Sequence, residues 1–136
     1  MRLTRNIYPG LVCGFIILML TTLPGSCFPT VKSFWQWLSP DKIVHVVMFG
    51  SLAYLIPFGY REKYCHDARQ ARKRLLRLSF LFSTAYGGAT ELLQTIPALR
   101  RSGSVYDFLA DVTGCILGVF IFKVVYQKKI KKMTCD

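Results

Sequence analysis

The apolar residues of this chain are gathered into four long blocks, at about residues 7–23, 42–60, 75–96 and 105–126, with basic residues between them. A helix of about 17–25 predominantly apolar residues matches the hydrocarbon thickness of a bilayer. The chain has only 136 residues, 52 % of them hydrophobic and 18 % charged. A single soluble core of that size cannot cover so much continuous apolar sequence. Disorder and an ordinary cytosolic enzyme fold are excluded by the same numbers. Within lipid every backbone polar group must be satisfied internally, and blocks of this length do so as helices. The expected fold class is therefore all-α, an integral membrane four-helix bundle forming one domain over residues 1–136.

Charge sets the expected topology. Eighteen Lys and Arg stand against seven Asp and Glu, a net charge of +11. The cations gather at Arg2 and Arg5, at 61–77 and at 123–132, each beside an apolar block. The positive-inside rule then places both termini and the central basic segment in the cytoplasm, N-in and C-in. The outer loops carry only Lys32, Lys42, Arg100 and Arg101, and Trp35 and Trp37 stand where interfacial anchors would. Cations that flank apolar blocks point to a lipid bilayer and its anionic head groups as the partner, and no nucleic acid is expected. The first block is longer than a signal-peptide core, and Pro24 interrupts the approach to Cys27, so it reads as a retained span. Five cysteines without a C-x-x-C pair suggest neither a disulfide framework nor a zinc site.

Small residues mark where helices can approach. Gly10 and Gly14, Gly114 and Gly118, Ser83 and Gly87, and Thr84 and Gly88 are spaced four apart. At 100° per residue, Asp107, Asp111, Gly114 and Gly118 lie within an arc of about 60°. That acidic face should thus point into the bundle. Glu91 and Gln94 share a face with Gly87, and Asp41 and His45 are one turn apart. With alternating topology, His45, Glu91 and Asp111 reach the outer leaflet at similar depth, each about 6–7.5 Å inside its helix end. Arg100 and Arg101 lie in the loop above them. Ionisable groups at such depth are costly, and they pair, line a wet cavity or stay protonated. Plainer roles exist for several of them. Asp107 can serve the helix dipole, Asp41 can be an N-cap, and His45 and Gln94 can be interhelical hydrogen-bond partners. Arg77 and Lys123 sit where they would snorkel to the cytoplasmic surface.

Asp41-Lys-Ile-Val-His45 followed by Phe49-Gly50 resembles the D-K-x-x-H segment of the VanZ-like membrane proteins. Glu91-Leu-Leu-Gln94, then Arg100 or Arg101, Ser104 and Asp107, resembles that family's E-x-x-Q, R and S-x-x-D run, and Gly114 and Gly118 match its closing glycine pair. The resemblance covers roughly 41–118 in the expected order. It implies a small bacterial multi-span protein of the cytoplasmic membrane, in a family whose namesake is associated with reduced susceptibility to the glycopeptide teicoplanin. Two positions depart from the pattern. Arg100 and Arg101 both suit the arginine register, and Asp111 stands where Asn is common.

The leading functional expectation is an outer-leaflet polar pocket that engages an anionic lipid-linked or cell-wall ligand. Arg100 and Arg101 would contact phosphate or carboxylate, with Asp41, His45, Glu91, Gln94, Asp107 and Asp111 shaping the pocket. Catalysis is the second class. His45 and Glu91 are its candidate acid–base residues, although no nucleophile motif is visible. No metal-ligand motif of diagnostic spacing occurs, so neither a metal nor another cofactor is expected. A divalent ion held by Asp41, His45, Glu91 and Asp111 belongs to the alternative enzyme reading. A proton-coupled transporter would need a homodimer, formed through the Gly10/Gly14 face. A membrane scaffold without a ligand is the remaining alternative.

Overall fold

The computed structural model describes residues 7–22, 40–66, 68–96 and 104–133, with side chains given for 7–22, 42–66, 68–96 and 104–130. All its regular structure there is helical: α1 (Tyr8–Thr22), α2 (Pro40–Gly59), α3 (Arg61–His66), α4 (Arg69–Gln94) and α5 (Val105–Met133). Pro9 and Pro40 fall in first turns, where a missing N–H removes no helical bond. At its C-terminal end α4 tightens, the Thr95 and Ile96 N–H groups bonding the Leu92 and Leu93 carbonyls three residues back, just before Pro97 in the sequence.

Helix and apolar block do not share ends. The segment 61–74, expected as a basic connection, contains α3 and the start of α4. Helix α5 continues to Met133, beyond the block ending at Tyr126. Lys, Arg and Gln are good helix formers, so the backbone ladder runs on where apolar sequence stops. Among the described residues, two segments are long and apolar enough to cross a membrane, Lys42–Gly59 and Val105–Ile130. Helix α1 is apolar but has 15 residues, or about 22 Å of rise against a hydrocarbon core of about 30 Å. The N-terminal third of α4 carries Arg69, Arg72, Lys73, Arg74 and Arg77.

Helices α2 and α5 form the central pair, α1 packs on α2 and α4, and α4 also lies against α5 and α2. The central pair touches backbone to backbone. A methyl built on Gly114 would overlap the Val46 carbonyl oxygen, and one on Gly118 would overlap the Gly50 carbonyl oxygen. Glycine at both positions is what permits this approach. Ile17, Phe49, Leu52, Ala53 and Cys115 make one apolar core, and Tyr64, Phe122 and Tyr126 make a second near the basic end.

The remainder is distributed inside out. Thr21, His45, Ser79, Ser83, Thr90, Glu91, Gln94 and Asp111 are buried, whereas Phe15, Phe82, Leu92, Ile116 and Phe120 are exposed. In α4, the buried positions Ser79, Ser83, Gly87, Thr90, Glu91 and Gln94 fall on one helical face, Thr90 and Glu91 being neighbours, so its inward stripe is polar and its first half small.

The half-buried Gly10/Gly14 face of α1 lies against α2 and α4. A methyl on Gly10 would lie 3.1 Å from Ile56 Cγ1, and Gly14 faces Leu52 and Tyr86. The Tyr86 hydroxyl donates to the Gly14 carbonyl at 2.8 Å, which ties α1 to α4. Tyr86→Phe should cost about 1 kcal/mol, the usual net value of one such bond. Chemical unfolding in detergent micelles measures it, and an unchanged midpoint would show that the bond contributes nothing to holding α1.

Candidate functional site

The polar site lies where α2, α4 and α5 meet, near the N-terminal ends of α2 and α5 and the C-terminal end of α4. Its position follows from the glycine contacts. Gly114 draws α5 against Val46, and one turn earlier Asp111 comes opposite His45, the neighbour of Val46. His45 Nδ1 and Asp111 Oδ1 are 2.8 Å apart. With Asp111 ionised, the Nδ1–H donates this bond, which fixes the ring tautomer and orientation. Phe49, one turn along α2, stacks on the imidazole at a centroid distance of 6.3 Å. Gly87 of α4 makes room for the carboxylate, since a methyl there would lie 3.0 Å from Asp111 Oδ2.

Glu91 enters from α4. Its Oε1 is 3.8 Å from His45 Nδ1, and its Oε2 accepts the Ser104 backbone N–H at 3.1 Å. That second bond joins the end of α4 to the start of α5. Ser104 caps α5, its hydroxyl accepting the Tyr106 N–H at 3.2 Å. Asp107 lies in the first turn of α5 and is half-buried, a position the helix dipole favours for an acid.

His45, Glu91, Gln94 and Asp111 are 5, 8, 4 and 0 % exposed. Three buried polar atoms of the group have no hydrogen-bond partner: Glu91 Oε1, Gln94 Nε2 and Asp111 Oδ2. The ion pairs of Glu91 and Asp111 among the described residues both go to His45. Donor atoms of His45, Glu91 and Asp111 all lie within 4.8 Å of one another. Such a set can move a proton through a fixed imidazole–carboxylate pair, or hold a cation between nitrogen and oxygen donors.

An apolar groove of about 620 Å³ runs between α4 and α5, lined by Ala85, Gly88, Ala89, Leu92 and Phe108 and reaching Glu91 and Ser104. At the opposite end of the bundle, a basic groove of about 600 Å³ contains Arg69, Arg72, Lys73, Arg77 and Lys123 beside Tyr64.

Of the candidates read from the sequence, the structure brings His45, Glu91 and Asp111 into mutual contact range, buries Gln94 beside Glu91 in the sequence of α4, and leaves Asp107 nearer the rim. Asp41 belongs to α2, but its side chain lies outside the described residues, as do Arg100 and Arg101 entirely. Sequence reasoning overlooked the Ser104 N–H as a clamp on Glu91 and Gly87 as the space for Asp111. It also overlooked the groove, although Ala85, Gly88 and Ala89 at helical spacing beside Leu81 and Leu92 are its trace.

Neither a curated protein nor a solved structure matches the chain. A family model does: the VanZ/LLP1 model matches residues 7–126. That match takes in α2, α4 and the part of α5 that builds the site, and with the apolar helices it identifies a VanZ-like membrane protein; the chain belongs to the VanZ/LLP1 family.

Proposed function

We propose that this protein is a multi-span component of the bacterial cytoplasmic membrane that binds an anionic lipid-linked or cell-wall ligand at its polar site. Helices α1, α2, α4 and α5 are the membrane crossings of this reading, with both termini and the basic α3 region cytoplasmic. The inside-out distribution of side chains supports it, because an apolar solvent favours exposing Phe15, Phe82 and Phe120 while Glu91 and Asp111 turn inward.

The observation that carries the ligand reading is the groove that ends at Glu91 and Ser104. An amphiphilic molecule fits such a site with its chain between α4 and α5 and its head group beside Glu91. Arg100 and Arg101 belong to the segment joining these two helices, and guanidinium groups suit phosphate or carboxylate. A role in glycopeptide susceptibility would follow if the ligand is a cell-wall precursor.

Native mass spectrometry of the protein extracted with its lipids tests this reading. Wild type should retain a specific anionic lipid or lipid-linked precursor, and Glu91→Gln, Arg101→Ala and the groove-filling Ala89→Leu should each lose at least tenfold of it. Equal lipid profiles in all four folded proteins would demote the site to helix packing and favour a scaffold.

One observation favours a second reading. The 2.8 Å bond between His45 and Asp111 orients an imidazole as general bases are oriented, which suits acid–base chemistry on a lipid-linked substrate with Glu91 as the partner acid. Turnover by purified protein, abolished in Glu91→Gln, would establish it.

A further inference from the structure

We propose that His45, Glu91 and Asp111 bind one divalent transition-metal ion of the zinc or manganese class. Two carboxylates and an imidazole converge from three different helices, and each residue is at least nine-tenths buried. Their own hydrogen bonds do not complete the group. Glu91 Oε1 and Asp111 Oδ2 are buried without any hydrogen-bond partner. A buried acceptor left in this way costs about 1–3 kcal/mol, and more when it is charged. A cation bound by the two carboxylates would neutralise both charges and supply a partner for oxygens that lack one.

The dimensions suit this. Donor atoms from the three residues already lie within 4.8 Å of one another. Metal bonds of about 2.0–2.2 Å hold donors about 3–4 Å apart, so closure requires side-chain shifts of less than about 1 Å. The donor chemistry narrows the ion. An imidazole nitrogen with two carboxylates suits zinc, manganese or ferrous iron better than calcium or magnesium, which prefer oxygen alone. Binding would displace the proton that His45 Nδ1 shares with Asp111, so metal uptake releases protons. Three protein donors leave a coordination position for another ligand, and Glu91 borders the groove between α4 and α5.

Metal binding also deepens the lipid-ligand reading, on which its place in function rests, while standing apart from it chemically. Two ionised carboxylates repel an anionic head group; a bound dication reverses the sign of the site. Metal binding itself is measured without any lipid ligand.

The test uses the full chain in lipid nanodiscs, stripped with a chelator and titrated separately with zinc, manganese and cobalt(II). Wild type should take up close to one equivalent, and its cobalt form should show the visible absorption of a nitrogen- and oxygen-liganded ion. Asp111→Asn and Glu91→Gln should each weaken binding at least tenfold, whereas Glu62→Gln on the exposed face of α3 should not change it. Metal uptake no greater than in the Glu91→Gln/Asp111→Asn double variant, or a cobalt spectrum of the hydrated ion, overturns the proposal. The spectrum is read on wild type, so it decides the matter even if a variant fails to fold. Lipid retention with no metal sinks this inference alone; metal retention with no specific lipid sinks the ligand reading alone.

Discussion

Replacing Gly118 by alanine forces α2 and α5 apart. The added methyl would overlap the Gly50 carbonyl oxygen and lie 2.9 Å from its carbon, so the obstacle is backbone. No rotamer change relieves such a clash; one helix must move. Overpacking costs roughly 1–3 kcal/mol in ordinary cores, and we expect at least about 3 kcal/mol here because the α2–α5 seam is the centre of the bundle. The same seam brings His45 to Asp111, so ligand and metal binding should fall together with stability. Gly88→Ala supplies the contrast. Its methyl would meet only Phe108 Cε2 at 3.5 Å, an ordinary contact. Removing glycine from a helix interior should then stabilise by about 0.5–1 kcal/mol. Unfolding both variants in detergent, with helicity followed by circular dichroism, distinguishes a backbone seam from a general intolerance of added volume. Equal stability of Gly118→Ala and wild type would show that α2 and α5 do not approach this closely.

His45→Phe has the second large effect. The ring preserves the stack on Phe49 while removing the one nitrogen that faces both carboxylates. Breaking a buried ion pair by taking away one partner costs about 3–5 kcal/mol, because the other charge stays buried and uncompensated. Adding Asp111→Asn to this variant should return at least half of the loss, since a neutral amide no longer needs a counter-charge. Binding should not return with it, because neither substituted residue can restore a nitrogen–carboxylate donor set. The double-mutant cycle thus separates what the pair does for folding from what it does for a ligand. Additive effects of the two substitutions would mean that His45 and Asp111 do not interact energetically, despite their 2.8 Å separation.

The candidate site was legible to the extent that helix periodicity alone defines it. Spacings of three and four put Asp111, Gly114 and Gly118 on one face of α5, and Glu91 with Gly87 on one face of α4. The groove was not legible, because it depends on the gap left between two helices rather than on either one. The same holds for the clamp from Ser104 to Glu91, a backbone donor that any residue at position 104 other than proline would present.

Helix ends show the same division. Hydropathy locates where apolar sequence stops, near Leu75 and Tyr126, whereas the hydrogen-bond ladder of α4 begins at Arg69 and that of α5 runs to Met133. Gly10 and Gly14 illustrate the converse. Their spacing announces a close-packed face, but only the assembled chain shows that Ile56, Leu52 and Tyr86 lie against it.

By itself, then, the order of residues determined an all-helical chain of the VanZ-like kind and the set of polar side chains turned inward, because these depend on local periodicity and the cost of burying charge. Tertiary structure alone decided which side chains meet. The closeness of α2 and α5 at Gly50, Gly114 and Gly118 puts His45 within 2.8 Å of Asp111, and the packing of α4 leaves Glu91 Oε1 3.8 Å from the His45 nitrogen without a hydrogen-bond partner. Distances between helices depend on every side chain that keeps them apart, and no single helix encodes that sum.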